Sequence, residues 1–179
     1  SETVEHNIYI NTKASPDFKT STITCLNNEI EFTDQSTITS GNIVKWNWDF
    51  GDEGSANNTS NLQNPKHQFS KAGNFEVTLN VETDKGCVYS VMVPVPVNDL
   101  PKIDFVLPDI CLADAEAIFI NKSTDFDGSE VGLQYLWDFV DSTPGASNTS
   151  TERNGKHLYT AVGNYNITLT VTNANGCRV

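Results

Sequence analysis

The two halves of this chain repeat one another, and that constrains its fold more than any other feature. CLNNEIEFTDQST (25–37) aligns with CLADAEAIFINKST (111–124) and NWDFGD (47–52) with LWDFVD (136–141). KHQFSKAGNFEVTLNVETDKGC (66–87) aligns with KHLYTAVGNYNITLTVTNANGC (156–177). The offset runs from 86 residues, Cys25 to Cys111, to 90 residues, Cys87 to Cys177. Such a period is one small domain, so 179 residues predict two tandem domains of one fold.

The ends refine this division. After Cys87 the first repeat continues as VYSVMVPVPVNDLPKIDF (88–105), whereas only Arg178 and Val179 follow Cys177. The chain opens with SETVEHNIYINTKASPDF (1–18), in which Val4, Ile8 and Ile10 fall opposite Val91, Val95 and Val97. Residues 1–12 therefore read as the last strand of a preceding repeat, 13–99 as domain 1, and 100–179 as domain 2 without its last strand. On this reading the chain is a slice of a longer tandem array.

Alternation sets the fold class. Val44, Trp46, Trp48 and Phe50 share one face of a predicted strand, as do Leu133, Tyr135, Trp137 and Phe139. Phe75, Val77, Leu79 and Val81 alternate in the same way, and so do Tyr165, Ile167, Leu169 and Val171. A period of two marks half-buried antiparallel strands. Gly, Asn, Asp and Pro clusters break them at short intervals, which predicts an all-β sandwich in each repeat. Pro94 and Pro96 lie within a strand-like run and predict an edge strand, because proline has no N–H for a ladder. The link VNDLPK (97–102) is short, and Pro101 restricts the residue before it.

Acidic residues outnumber basic ones by 23 to 11, a net charge of −12. Such a polyanion repels nucleic acid and anionic lipid, so neither is an expected partner. No apolar run is long enough to span a bilayer. Four cysteines allow three pairings. Repetition favours Cys25–Cys87 and Cys111–Cys177, because equal folds place equal positions alike. Such bonds imply an oxidising compartment.

With these elements in order, WNWDFGDEGS followed by NPKHQFSKAGNFEVTLNV resembles the PKD domain, named for polycystic kidney disease proteins. The family pattern is a Trp-Asp-Phe-Gly-Asp-Gly turn, then Pro-x-His-x-Tyr/Phe, then Ala/Pro-Gly-x-Tyr/Phe-x-Val. Repeat one matches it at Trp48, Asp49, Phe50, Gly51, Asp52, Pro65, His67, Phe69, Gly73, Phe75 and Val77, with Gly54 one place late. Repeat two matches at Trp137, Asp138, Phe139, Asp141, His157, Tyr159, Gly163 and Tyr165. It departs at Val140 and Gly155, where the family has glycine and proline. The resemblance implies an immunoglobulin-like β-sandwich. The added cysteines are similar to versions in large secreted and surface proteins of bacteria, including adhesins and hydrolases.

The expected roles are structural. Asp49 and Asp52 lie beside glycines in one turn, where carboxylates accept backbone N–H groups and shape the chain. A catalytic pair would need facing walls and contrasting environments. Trp48 and Trp137 fall on the apolar face and predict core packing. His67 and His157 have no nucleophile at motif spacing. Asp125 and Asp127, in STDFDGSE (123–130), are candidate oxygen ligands for calcium, which takes six to eight oxygens. The matching stretch of repeat one, STITSGN (36–42), has no carboxylate. Asn57, Asn58, Asn121, Asn148 and Asn166 begin glycosylation sequons.

The function expected is that of non-catalytic spacer repeats in a secreted or cell-surface, adhesin-like protein. Their partners would be neighbouring repeats and surface glycans or proteins. The alternative is a carbohydrate- or protein-binding accessory module of a secreted hydrolase. No nucleophile, phosphate or cofactor motif marks an enzyme.

Overall fold

A computed structural model describes residues 3–109, 116–141 and 147–179. It divides into two units, residues 1–97 and 98–179. Every regular element among the described residues is a β-strand.

In unit 1 the strands are β1 (Ala14–Ser15), β2 (Phe18–Thr20), β3 (Ile30–Asp34), β4 (Thr37–Ile38), β5 (Ile43–Asp49), β6 (Thr59–Ser60), β7 (Lys66–His67), β8 (Gly73–Thr83) and β9 (Val88–Val97). One sheet has the order β6-β5-β8-β9, the facing one β2-β3-β7, and β1 pairs with β4. All these pairings are antiparallel. Alternate residues of the two larger sheets meet in one core of Phe18, Ile30, Phe32, Trp48, Phe50, Phe69, Val77 and Leu79. Phe18 meets the Trp48 ring edge-on at 5.1 Å and Phe32 lies 5.6 Å from it, offset geometries that aromatic pairs favour.

β9 is an edge strand, as its prolines predict. The ladder with β8 runs unbroken through Glu76–Pro94 and Asn74–Pro96. Its hydrogen bonds must therefore pass through the intervening valines, which turns both proline nitrogens away from β8.

Unit 2 contains β10 (Phe105–Val106), β11 (Glu116–Asn121), β12 (Gln134–Asp138), β13 (Thr149–Ser150), β14 (Gly155–Leu158) and β15 (Thr168–Thr172). Its sheets are β10-β11-β14 and β13-β12-β15, around Phe119, Trp137, Phe139, Tyr159 and Val171. Each unit is an immunoglobulin-like β-sandwich. At the register where β9 begins in unit 1, Arg178 bridges Thr172 and Val179 exchanges backbone bonds of 3.1 Å with Val171.

Residues 3–13 carry no strand, contrary to the expected pairing element at the N-terminus. Val4, Ile8 and Ile10 are each more than 70% exposed. A strand persists only against a ladder partner, and no described residue supplies one here.

The cysteines break the repeat symmetry. Cys25 and Cys177 are disulfide-bonded, whereas Cys87 is a free thiol. The expected Cys25–Cys87 bond is therefore absent, and Cys111 lies outside the described residues. The symmetry argument fails because the matched positions differ: Cys177 is fully buried, while Cys87 is half-buried in the β8–β9 turn beside Tyr89. Iodoacetamide applied to the unreduced protein should alkylate Cys87 and spare Cys25 and Cys177. Peptide mapping that found Cys87 blocked and Cys25 labelled would contradict this.

Candidate functional site: the two aspartate turns

The polar residues shared by the repeats converge where β5 and β12 leave their sheets. At the end of β5, Asp49 accepts hydrogen bonds from the Gly51 N–H and the Asn58 amide, both at 3.0 Å. These hold a tight turn in which Gly51 has φ +67. A Cβ on Gly51 would lie 2.8 Å from the Glu76 carbonyl oxygen, so glycine is needed for space as well as for φ.

The turn drives Phe50 into the core and Asp52 beneath it, where Asp52 is 1% exposed. One Asp52 oxygen accepts the Ser70 hydroxyl at 2.5 Å. The other accepts the Ser70 N–H at 2.8 Å and faces His67 Nε2 at 3.2 Å. An ionised carboxylate only accepts, so His67 Nε2 carries the proton between them. The His67 ring stacks on Phe50 at 4.2 Å and meets Phe69 edge-on at 4.5 Å. Burial pushes the Asp52 carboxyl up, but the Ser70 hydroxyl, the Ser70 N–H and His67 together pull it below the usual carboxylate value.

Unit 2 repeats this plan. Asp138 accepts the Val140 N–H at 3.0 Å, and Asp141 faces His157 Nε2 at 2.9 Å. His157 Nδ1 lies 3.1 Å from the Ser147 carbonyl. The imidazole stacks on Phe139 at 4.8 Å. Trp48 and Trp137 point into their cores, with indole N–H groups donating to the Leu62 and Glu152 carbonyls at 2.8 and 3.0 Å.

One residue that sequence reasoning missed completes each turn. The Asn58 side chain accepts the Asp52 N–H at 2.6 Å, and Asn148 accepts the Asp141 N–H at 2.8 Å. Both stand in an Asn-Thr-Ser triplet at matched places in the repeats. That recurrence is the signal the sequence offers, and it is the same pattern as a glycosylation sequon.

Asp, His and Ser together suggest acyl-transfer chemistry by composition, but the geometry opposes it. Ser70 donates to the carboxylate rather than to His67, so no base faces its hydroxyl. His67 and Asp52 are both buried and leave no room for substrate. Thr160 replaces Ser70 in repeat two. Asp49 and Asp52 are each occupied by turn hydrogen bonds and share no cleft.

Asp125 and Asp127 are placed apart in role. Asp125 is buried and accepts the Phe126 N–H at 2.9 Å and the Asn173 amide at 3.1 Å. Exposed Asp127 accepts the Ser129 N–H at 2.8 Å, which holds its carboxyl below the usual range. Among the described residues, no three His, Cys, Asp or Glu side chains are grouped to hold a metal. Gly73 has φ +147 at the start of β8, and Gly163 lies against the Tyr165 ring. His6 lies in the exposed 3–13 segment.

Repeat two also holds a local mismatch. The Tyr159 hydroxyl is buried without a hydrogen-bond partner, and burial with nearby Asp141 and Tyr165 pushes it up to about 12. Repeat one has Phe69 at this position. Tyr159→Phe should stabilise unit 2 by about 1 kcal/mol by removing an unsatisfied buried group. A lowered melting temperature would contradict this.

Residues 11–95 and 98–179 each match the family model of the PKD domain. The PKD1 domain of Vibrio anguillarum Epp is 25% identical, over 49% of this chain and 96% of its own, at a TM-score of 0.43. The PKD1 domain from the Vibrio cholerae metalloprotease PrtV is 31% identical, over 49% and 98%, at 0.39. A structure of carbohydrate-binding modules from the β-sandwich superfamily is 14% identical, over 90% and 85%, at 0.46.

Proposed function

We propose, for a chain that belongs to the PKD domain family, a non-catalytic role as extracellular spacer repeats of a secreted or surface-exposed, adhesin-like protein. The observation that carries this reading is how the shared polar residues are used. Asp49, Asp52, Asn58, His67 and Ser70 bind one another or the turn backbone. A site spent on its own loop builds a fold and leaves no reactive group for substrate. The oxidised Cys25 and Cys177 support an oxidising compartment. In this role the units separate and present neighbouring domains of a longer chain.

Asp52→Asn tests the assignment. It should lower unit 1 stability by about 1–3 kcal/mol through the buried donors it leaves poorly matched. The pH dependence has a defined sign. Because the folded pKa of Asp52 is depressed, its stabilisation is present above the ordinary carboxylate value of about 3.9 and is lost as pH falls through the lower folded value. Wild-type melting should therefore fall more steeply with acid than that of Asp52→Asn. Equal acid slopes, or loss of a hydrolytic activity at unchanged melting temperature, would sink the reading.

A further inference from the structure

Beyond the aspartate turns, the sheet β10-β11-β14 of unit 2 carries aliphatic side chains on its outer face. Val106, Ile118, Ile120 and Leu158 are 51, 38, 37 and 54% exposed there. We propose that this face is a self-association surface, on which the same face of a second copy packs about a two-fold axis with the two β11 strands antiparallel. This goes beyond the spacer reading and does not rest on it.

Alternation along β11 makes the face. Ala117, Phe119 and Asn121 are buried in the sandwich, which turns Glu116, Ile118, Ile120 and Lys122 outward. The ladders set Val106 opposite Ile120, Lys156 opposite Ile118 and Leu158 opposite Glu116. Directly and diagonally opposed side chains are within reach of one another, so the four aliphatic groups form one patch.

The fold does not require this patch. In unit 1 the equivalent pairings set Lys19 opposite Thr33 and Glu31 opposite Lys66, and exposed Gln68 follows Lys66 at the place of Leu158. Lys66 and Glu31 form an exposed ion pair of 2.7 Å. Two repeats with one backbone plan therefore offer different surfaces here, charged and polar in unit 1 and aliphatic in unit 2. An antiparallel sheet with one solvated face alternates apolar-in and polar-out; unit 1 obeys this rule and unit 2 breaks it, as a covered face does.

Charge decides the occupant. The outer face of β11 reads Glu116, Ile118, Ile120, Lys122, a pattern that complements its own reverse. Laid antiparallel on a second copy, it sets Glu116 over Lys122 at both ends and isoleucine over isoleucine between them. Laid parallel, it would bring like charges together. Around the patch Asp104 and Glu116 are balanced by Lys122 and Lys156, so the face is formally neutral in a chain of net charge −12. Two polyanions repel least through such a face. Glu130 also feels Lys122, but Arg153 holds it through two bonds of 2.6 Å, which leaves the Lys122 amine available. The two-fold contact is isologous and closes at two copies. A face of three strands, about 4.8 Å apart, covers less than the roughly 800 Å² per partner of a standard interface, so the dimer is weak, with a Kd on the order of 100 μM.

The test is sedimentation velocity of the intact chain from about 10 μM to about 1 mM, a range that brackets such a Kd, with methyl NMR over the same range. The chain should pass from monomer to dimer, and the methyl signals of Val106, Ile118, Ile120 and Leu158 should move with concentration. Ile118→Glu combined with Ile120→Thr, the residues unit 1 carries at these places, should abolish dimerisation. Glu116→Lys alone and Lys122→Glu alone should each weaken it by about tenfold or more, whereas an equimolar mixture of these two variants should restore it, because each supplies the charge the other lacks. A merely structural role for either residue would not produce that rescue. A monomer at every concentration would overturn the proposal. So would dimerisation that survives the double isoleucine variant, a mixture no stronger than its parts, or methyl signals that move only in unit 1 or in residues 4–10.

Discussion

Replacing Gly51 with valine, the residue unit 2 carries at the matched turn, is expected to destabilise unit 1 by about 3 kcal/mol. Two costs add. Left-handed φ disfavours a residue with a Cβ by about 1–2 kcal/mol, and β-branching makes it worse. The new Cβ would also sit 2.8 Å from the Glu76 carbonyl, inside the β8 ladder, where overpacking costs about 1–3 kcal/mol. Val140 holds φ +46, and the strand opposite it is only Thr168–Thr172, against the eleven residues Gly73–Thr83 of unit 1. Val140→Gly should relieve the strain and stabilise unit 2 by about 1 kcal/mol, less than the reverse cost because glycine is freer in the unfolded chain. Hydrogen exchange, followed separately in each unit, should show lost protection across Gly73–Thr83 in Gly51→Val. Unchanged protection there would refute the turn's role in seating β8.

Gly155→Ala should be the most damaging small substitution in unit 2, at about 3 kcal/mol. Its Cβ would fall 2.7 Å from Cδ2 of Trp137 and 3.0 Å from two further ring carbons. The ring cannot retreat. It is fully buried, bonded to Glu152, and set against Phe105 at 5.1 Å and Phe119 at 5.8 Å. Overpacking costs about 1–3 kcal/mol even where neighbours can shift, and here they cannot. The departure from proline at this position has a return: β14 extends over Gly155–Leu158, whereas β7, which follows Pro65, spans only Lys66–His67. Calorimetry should show the unit 2 transition falling by roughly 12 °C or more while that of unit 1 stays in place. A shift under about 4 °C would mean that the core yields where the packing says it should not.

Strand periodicity carried most of the fold. Trp48 and Trp137 alternate with Asp49 and Asp138, and the structure buries the first pair and leaves the second at the surface. Pro94 and Pro96 announced an edge for the same local reason. What failed depended on distant partners. The Val4–Ile10 alternation was visible, but its ladder partner was not. Cys25 and Cys87 looked equivalent to their repeat-two counterparts, yet exposure differs at the hairpin, and no sequence symmetry reports that. Asn58 and Asn148 were in plain view; their role depends on a turn that folds six and seven residues back onto Asp52 and Asp141.

The outward-turned nitrogens of Pro94 and Pro96 bear on how such a chain is made. Neighbouring domains of similar sequence emerge from synthesis together and can swap strands, a common misassembly of repeat proteins. A strand whose free side offers carbonyls but lacks alternate donors extends a foreign ladder poorly. β9 can complete its own sheet and then refuse a third strand. The two prolines thus act as a one-sided lock, letting a domain close on itself while discouraging like domains from growing into a shared sheet.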